Sequence, residues 1–265
     1  MKSEALPSAL DHFESIESKF IGSRLFVFLD YDGTLTPIVN NPEDAQLSSE
    51  MRHTLSELAE LTTVAIVSGR DRMDIENLIR LENLIYAGSH GFDISGPDGL
   101  QLQYSGGEAA LPALEEAEES LKSQLSEISG AQVERKKYAI AVHYRNVAED
   151  DAERVIDIAT SEAESHDTLK PSPGKKILEL KPAIDWDKGK ALLWLQDELA
   201  SGTGDTVPMY IGDDNTDEDA LAVIQDEGIG ILVGSHGART YARYGLKNVK
   251  EVYDFLRWLN EALRE

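Results

Sequence analysis

An apolar run that ends in two carboxylates is the feature that most constrains how this chain can fold. Residues 26–29, Phe-Val-Phe-Leu, are followed at once by Asp30, Tyr31, Asp32 and Gly33. A strand buried on both faces is continuously hydrophobic, as in the parallel sheets of α/β proteins. Ligands of such sheets lie beyond the carboxyl ends of the strands, where carboxylates can hold a divalent cation or attack an electrophile. A turn rich in Asp and Gly gives the same pattern, so this segment alone leaves both interpretations open.

The rest of the chain alternates between strand-like and helix-like segments. Short apolar runs predict strands, and apolar residues at helical spacing predict the helices between them. This alternation predicts an α/β fold with a Rossmann-like parallel sheet, helices on both faces and right-handed crossovers. The predicted strands cover residues 25–29, 64–67, 84–87, 208–211 and 229–233, and the predicted helices about 48–61, 72–80, 188–200, 217–226 and 250–263.

A change of composition after residue 100 predicts an inserted domain. Gly and Pro cluster in residues 96–112 and again in residues 171–174. Between these clusters lie two helical patterns, at about 108–128 and 149–165, and a strand at 139–145; a further strand is predicted at 176–180. The sequence therefore predicts a core formed by residues 1–99 and 177–265, and a smaller α+β cap domain formed by residues 100–176.

A second group of acids, Asp213, Asp214 and Asp217, follows a later apolar strand. The carboxyl ends of parallel strands meet at one edge of a sheet, so these acids should lie near Asp30 and Asp32. Carboxylates that converge repel one another unless a cation lies among them. Mg²⁺ suits such a site because it binds a few carboxylates and keeps water and phosphate oxygens as its other ligands. Capping of the next helix is the alternative role for Asp217.

Two more polar residues stand at the ends of predicted elements. Ser68 follows the second strand, where its hydroxyl and nearby amides can bind a phosphoryl oxygen; a turn or a helix N-cap is the alternative. Lys188 starts a predicted helix, a position that the helix dipole disfavours for a cation. An anion beside Lys188 would compensate this, whereas a solvated lysine needs no partner.

The order of these residues resembles that of the haloacid dehalogenase-like phosphatases. The resemblance is carried by Asp30-x-Asp32-Gly-Thr, Ser68, Lys188 and Gly212-Asp213-Asp214-x-x-Asp217. It implies that Asp30 attacks phosphorus to form an aspartyl phosphate. It further implies that Asp32 protonates the leaving oxygen and then activates water, while Ser68 and Lys188 bind phosphoryl oxygens.

The same resemblance implies a magnesium site. Asp30, the carbonyl of Asp32 and Asp213 would hold Mg²⁺, which lets two anions approach each other. Asp214 and Asp217 would bind the metal as well or would hold its ligands in place.

Additional residues resemble the trehalose-6-phosphate phosphatase family over nearly the whole chain. They are Asp30-Tyr-Asp-Gly-Thr-Leu-Thr-Pro37, Ser68-Gly-Arg70, Gly88-Ser-His90-Gly91, Lys137…His143-Tyr-Arg145 and Trp186-Asp-Lys-Gly189. The family places a specificity-setting cap between the Ser and Lys motifs. The resemblance implies that the substrate is bound by Arg70, His90, Gly91, Lys137, His143, Arg145 and Glu179.

Two positions depart from this family's pattern. Phe92 stands where the family often has an acidic residue, and Lys181 stands where arginine is common. Lysine cannot reproduce the bidentate fork of arginine. For His143 and Arg145, an alternative interpretation is that they are ordinary polar residues on the solvent-exposed face of a strand, where every second residue is polar.

These patterns predict Mg²⁺-dependent hydrolysis of trehalose 6-phosphate to trehalose and phosphate. Three alternatives stay open: the same chemistry on a glucosylglycerol, sucrose or mannosylglycerate phosphate; a non-catalytic sugar-phosphate sensor; and a mutase that transfers the phosphoryl group. The presence of both Asp30 and Asp32 favours an enzyme over a sensor.

Composition excludes several other functions. The 265 residues carry a net charge of −24, which argues against nucleic acid or an anionic membrane as partner. Residues 135–190 hold 11 basic and 11 acidic residues, so an anionic substrate meets least repulsion there. The chain contains no cysteine, no signal-like N-terminus and no apolar stretch of membrane-spanning length. We therefore expect a cytoplasmic protein; the sequence leaves its oligomeric state open, with a monomer as the simplest case.

Overall fold

The apolar run before Asp30 forms strand β1 (Arg24–Leu29), which is buried from Leu25 onward. The structure is a computed structural model that describes residues 6–39, 41–103, 105–174, 176–200, 205–235, 237 and 239–265. Its contacts divide the chain into two compact units: Met1–Gln101 with Trp186–Glu265, and Leu102–Asp185. Among the described residues, no helix has the length and apolar character needed to cross a membrane. The cytoplasmic location stays a prediction.

The helices and strands follow the predicted alternation closely. The strands are β1, β2 (Thr63–Val67), β3 (Ile85–Gly88), β4 (Asp93–Ser95), β5 (Gln101–Gln103), β6 (Gln132–Lys136), β7 (Ala139–His143), β8 (Leu169–Gly174), β9 (Ile177–Pro182), β10 (Thr206–Gly212), β11 (Ile229–Val233) and β12 (Tyr244–Leu246). The α-helices are α1 (Phe13–Phe20), α2 (Ser49–Leu61), α3 (Arg72–Ile79), α4 (Ser105–Glu108), α5 (Leu111–Gln124), α6 (Glu149–Glu164), α7 (Lys188–Ala200), α8 (Glu218–Val223) and α9 (Val249–Ala262).

The first unit is built on an eight-stranded sheet in the order β12-β11-β10-β1-β2-β3-β4-β5. From β12 to β3 every neighbouring pair is parallel, whereas β4 runs antiparallel to β3. One large apolar cluster includes residues of β1, β2, β10, β11, α1, α2, α3 and α9. The predicted α/β fold with a parallel-sheet core is confirmed. Strands β4, β5 and β12 were not predicted, because each is only three residues long.

The second unit contains a four-stranded antiparallel sheet in the order β6-β7-β9-β8. Helices α5 and α6 pack on it through a cluster that includes Leu114, Leu121 and Val155. The helix predicted at about 108–128 corresponds to α5, which the short helix α4 precedes, and Pro112 lies in the first turn of α5, where a missing amide hydrogen does no harm.

The ends of the second unit differ from the predicted segment 100–176. Strand β9 pairs with β7, for example Leu180 opposite Ile140, so this unit extends to Asp185. The predicted boundary at 176 would separate β9 from its own sheet. The proline-rich segment before it belongs to strand β8, whose described pairing is with β9 alone; proline is tolerated on an edge strand.

Candidate active site

Adjacent parallel strands bring the predicted acidic residues to one edge of the sheet. Strand β1 lies between β10 and β2, and Leu29 is in register with Ile211 of β10. Because the strands run in the same direction, Asp30 and Asp213 emerge at neighbouring carboxyl ends. The amide of Asp30 also donates to the carbonyl of Ile211, at 2.9 Å. Pairing of the strands thus fixes the separation of the two acidic segments.

Lys188 connects the two acidic segments at the buried bottom of the site. Its Nζ donates to Asp30 Oδ1 and to Asp217 Oδ1, at 2.7 Å in each case. Lys188 is 2% exposed, and Asp217 is fully buried. Burial alone lowers the pKa of Lys188, but Asp217 and Asp30 outweigh this and hold the pKa well above its usual value. The anion expected beside this helix-initiating lysine is therefore present, as two carboxylates.

Asp217 organises the loop that follows β10. Its Oδ1 accepts from Lys188 and from the hydroxyl of Tyr210, the latter at 2.6 Å. Its Oδ2 accepts from the amides of Asp213 and Asp214, at 2.9 and 3.0 Å. A carboxylate has about four acceptor positions, and these four donors fill them. Of the three roles that the sequence left open for Asp217, these contacts favour support of the neighbouring acids over metal binding, and its side chain makes no capping hydrogen bond to α8.

Two glycines make room for the carboxylates. A Cβ added at Gly212 would overlap the carboxylate of Asp217, and one added at Gly33 would overlap the carboxylate of Asp213. Gly33 also has φ of +85°, in the left-handed region that favours glycine. The glycine that follows Asp32 is thus required both by its backbone conformation and by the approach of Asp213.

Asp30 and Asp213 offer carboxylate oxygens to a divalent cation, and an oxygen of Asp217 lies beside them. Oxygens of Asp30, Asp213 and Asp217 all lie within 4.8 Å of one another. Burial, followed by repulsion from Asp217 and Asp214, raises the pKa of Asp213 to about 7. Burial also raises the pKa of Asp30, against the opposing effect of Lys188. One buried lysine does not neutralise this cluster, and oxygen ligands of this kind suit Mg²⁺.

Asp32 is turned toward Arg70. The guanidinium Nε donates to Asp32 Oδ2 at 2.6 Å, and Nη2 donates to Oδ1 at 2.7 Å. This is a bidentate pair, the strong form of an arginine–carboxylate contact. Asp32 is therefore an acceptor through both side-chain oxygens, and this contact does not involve its carbonyl, the atom predicted to bind the metal.

The loops after β2 and β3 hold the other predicted residues of this unit. Ser68 is buried, its amide donates to Ala87 O at 3.0 Å, and its Oγ accepts from the Arg70 amide at 3.1 Å. The amide of His90 donates to Ser68 O at 2.8 Å. Gly91 has φ of +89°, and a Cβ there would overlap the side chain of Ala191. The backbone conformation and packing of Gly91 thus explain its identity without a ligand.

The remaining predicted residues lie in the second unit. His143 Nε2 is 2.7 Å from Glu134 Oε2, and Glu179 accepts from Lys136 at 2.7 Å and pairs with Lys181 at 2.8 Å. Lys137 lies over the ring of Tyr138, with Nζ 4.9 Å from its centroid. Arg145 follows β7 and is exposed.

Sequence reasoning missed several polar partners. The sequence places Tyr210 only in a strand, because a tyrosine within an apolar run is typical of a core residue. Only the structure shows that its hydroxyl contacts Asp217. Lys136 and Lys181 were not proposed as site residues; alternation along β6 and β9, which places every second residue on one face, was the signal that could have found them.

A mainly parallel sheet that presents Asp30, Ser68, Asp213 and Lys188 at its carboxyl edge has the haloacid dehalogenase-like fold of phosphatases. A family model described as Trehalose-phosphatase matches residues 28–252. The chain belongs to the trehalose-phosphatase family and is a phosphoric monoester hydrolase.

Individual relatives agree with this assignment. The chain is similar to trehalose 6-phosphate phosphatase RA3 of Zea mays, with 42% identity over 97% of this chain and 75% of that protein. A crystal structure titled trehalose-6-phosphate phosphatase related protein has 26% identity and a TM-score of 0.75, covering 89% of this chain and 97% of that chain. The C-terminal domain of the C. albicans trehalose-6-phosphate phosphatase has 23% identity and a TM-score of 0.81, covering 98% of this chain and 99% of that one; at this identity the likeness supports the fold.

Proposed function

We propose that the protein hydrolyses trehalose 6-phosphate to trehalose and phosphate through an aspartyl phosphate on Asp30, with Mg²⁺ as cofactor. The observation that carries this proposal is the contact of buried Asp30 with Lys188 beside Asp213 and Asp217. A carboxylate that served only a turn would not need a buried lysine and two further acids around it. The name of the Zea mays relative supports the choice of substrate.

In the proposed first step, a carboxylate oxygen of Asp30 attacks phosphorus and forms an acyl phosphate. The bond between phosphorus and the sugar oxygen breaks, and that oxygen takes a proton from Asp32. In the second step water attacks phosphorus, Asp32 takes a proton from this water, and the Asp30 carboxylate is restored. Lys188 and the Ser68 hydroxyl bind phosphoryl oxygens, whose charge increases during transfer.

The residues that would hold Mg²⁺ are Asp30, Asp213 and the carbonyl of Asp32. When bound, the ion supplies positive charge that lets an anionic nucleophile approach an anionic ester. Asp217 keeps the Asp213 segment in place through its two amide hydrogen bonds, and Asp214 accepts from Thr216 through both the amide and the hydroxyl of that residue, at 2.8 and 2.7 Å. These two acids act on the site by fixing the loop.

We propose that the second unit is the specificity-setting cap and recognises the sugar. Its polar candidates are Lys137, His143, Arg145 and Glu179, and it offers the paired donors and acceptors that bind sugar hydroxyls. In the first unit we propose His90 and Gly91 as substrate-binding residues. The backbone amide of His90 donates a hydrogen bond to the carbonyl of Ser68, which holds His90 in place.

A panel of sugar phosphates tests this function. Phosphate release should be fastest from trehalose 6-phosphate, compared with glucosylglycerol, sucrose and mannosylglycerate phosphates at equal concentrations with Mg²⁺. A tenfold preference for another ester would contradict the proposed substrate and leave the chemistry standing. Hydrolysis in isotopic water distinguishes a mutase, because only hydrolysis places the label in the released phosphate.

An Asp30→Asn variant tests the covalent step. It keeps the shape of the side chain and removes the nucleophilic oxygen, so we expect loss of turnover with retention of the fold by circular dichroism. Full activity in this variant would rule out the aspartyl phosphate, whatever the preferred sugar.

A further inference from the structure

Arg70 has a more specific partner than the substrate-binding role expected for it. Its guanidinium donates hydrogen bonds to both carboxylate oxygens of Asp32, at 2.6 and 2.7 Å. The Arg70 side chain is 14% exposed and that of Asp32 is 37% exposed. The pair thus has a sheltered cation and a carboxylate that still meets solvent, as expected for a group that must exchange protons.

The backbone of Arg70 is fixed to the same loop system as the phosphate-binding serine. Its amide donates to Ser68 Oγ at 3.1 Å, and its carbonyl accepts from the Ser89 amide at 2.6 Å. The guanidinium carbon lies 5.6 Å from the ring centroid of Tyr31, the residue between the two acids of the first motif. Arg70 is therefore held at its backbone and along its side chain, and can in turn hold Asp32.

A fork of this kind fixes the rotation of a carboxylate. Two parallel N–H···O bonds define the carboxylate plane, which a single ammonium group cannot do. Each carboxylate oxygen has two acceptor positions, so one position on each oxygen is left for a proton of water or of a sugar hydroxyl. The fork thus orients Asp32 without using up its capacity to accept a proton.

We propose that Arg70 is a positioning residue for proton transfer by Asp32. This inference rests on the proposed function, in which Asp32 gives a proton to the sugar oxygen as the ester bond breaks. That transfer leaves Asp32 as a carboxylate, and the Arg70 fork stabilises the charge that appears there. In the second step the same fork aims the carboxylate as it takes a proton from the attacking water.

The dependence on the leaving group tests this inference. A sugar alkoxide needs a proton as it leaves, whereas p-nitrophenolate is stable without one. If Arg70 acts through Asp32, Arg70→Met should slow the first release of sugar from trehalose 6-phosphate by about tenfold or more, which is part of the roughly 10²–10⁴-fold that general acid catalysis contributes. The first release of p-nitrophenol from p-nitrophenyl phosphate should change by less than about threefold. Both releases are measured in single turnover with enzyme in excess.

Four further variants keep the test decisive. Arg70→Lys retains the charge without the fork, so it should recover little of the lost rate on the sugar ester. Asp32→Asn removes the proton donor, and adding Arg70→Met to it should have little further effect, since interacting residues are non-additive. Arg72→Met is the matched control: Arg72 pairs with Asp93 at 3.0 Å and with Glu76, and its loss should leave the ratio of the two release rates unchanged.

Equal loss on both esters in Arg70→Met, or full additivity with Asp32→Asn, would overturn the inference and indicate a direct role in phosphate binding or folding. A wrong assignment of the substrate would give a different result. The wild-type chain would then prefer another sugar phosphate, and the comparison between that ester and p-nitrophenyl phosphate would still decide the role of Arg70.

Discussion

Gly33 shows how a single residue can determine the geometry of this site. It has φ of +85°, and its α-carbon faces the carboxylate of Asp213. Gly33→Ala would strain the backbone and push Asp213 away from Asp30. We expect the free energy of unfolding to fall by about 1–3 kcal/mol, the range for a strained residue, and the turnover number to fall at least tenfold. Urea unfolding and steady-state kinetics measure the two effects.

A second glycine separates strain from displacement. Gly22 has a similar φ of +81°, but a Cβ there meets nothing within 4 Å. Gly22→Ala should therefore show the loss of stability without the loss of turnover. Equal activity in both variants would show that Asp213 need not stay where the structure has it.

Residue types at element ends could be predicted, but their partners could not. Asp30, Asp213 and Lys188 were recognised because polar residues directly after buried strands, or a lysine at a helix start, conflict with local preference. Tyr210 conflicts with nothing in a strand, and only the register shows its hydroxyl at Asp217. Arg70 was expected to bind substrate. Its contact with Asp32 could not be predicted, because the two residues are 38 positions apart in the sequence.

The four-stranded sheet of the second unit has one apolar and one polar face. Along β9, Leu178, Leu180 and Pro182 are buried, while Glu179 and Lys181 alternate with them. Glu179 holds two lysines, so its loss should disturb the whole polar face. We expect Glu179→Gln to raise KM for trehalose 6-phosphate about tenfold, a loss of about 1.4 kcal/mol of binding, and to leave KM for p-nitrophenyl phosphate unchanged.

An acid elsewhere in the same unit provides the control for Glu179. Glu118 on α5 pairs with Lys122 at 2.6 Å and with Arg135 at 3.6 Å. Glu118→Gln should change neither KM. If Glu179→Gln raised KM for both esters alike, the polar face would not be selective for the sugar.

Strand β8 shows why the boundaries of this unit were harder to predict than the strands of the first. Pro171, Pro173 and Gly174 are typical of a turn, yet they pair with β9 as an edge strand. Except for the three-residue strand β12, the parallel strands of the first unit are buried apolar runs, which predict a strand without ambiguity. A short antiparallel sheet with an edge strand has a weaker signal, since only one face is apolar and the edge tolerates proline.

At the scale of the whole molecule, the site places buried negative charge in a chain that already carries a net charge of −24. A cation that binds only the folded state stabilises it, by about 2.7 kcal/mol at 100 times its dissociation constant. For a chain of this size that corresponds to a rise in Tm of about 5–10 °C. We expect this rise when Mg²⁺ is added to chelator-treated protein, and its loss when excess chelator is added again; calorimetry without substrate measures both.

Asp213→Asn should raise the Tm of the metal-free protein and remove most of its response to Mg²⁺. Burial and nearby carboxylates raise the pKa of Asp213 to about 7, so at pH 8 its ionised form destabilises the metal-free folded state relative to the unfolded chain. Asparagine removes that charge, and Tm without metal should rise, whereas the further rise caused by Mg²⁺ should largely disappear because a ligand is lost.

Glu57→Gln, at a surface pair with Arg264, should keep the full response to Mg²⁺. An undiminished response in Asp213→Asn would show that the ion binds elsewhere, and a lower metal-free Tm would show that Asp213 stabilises the fold by its charge rather than opposing it.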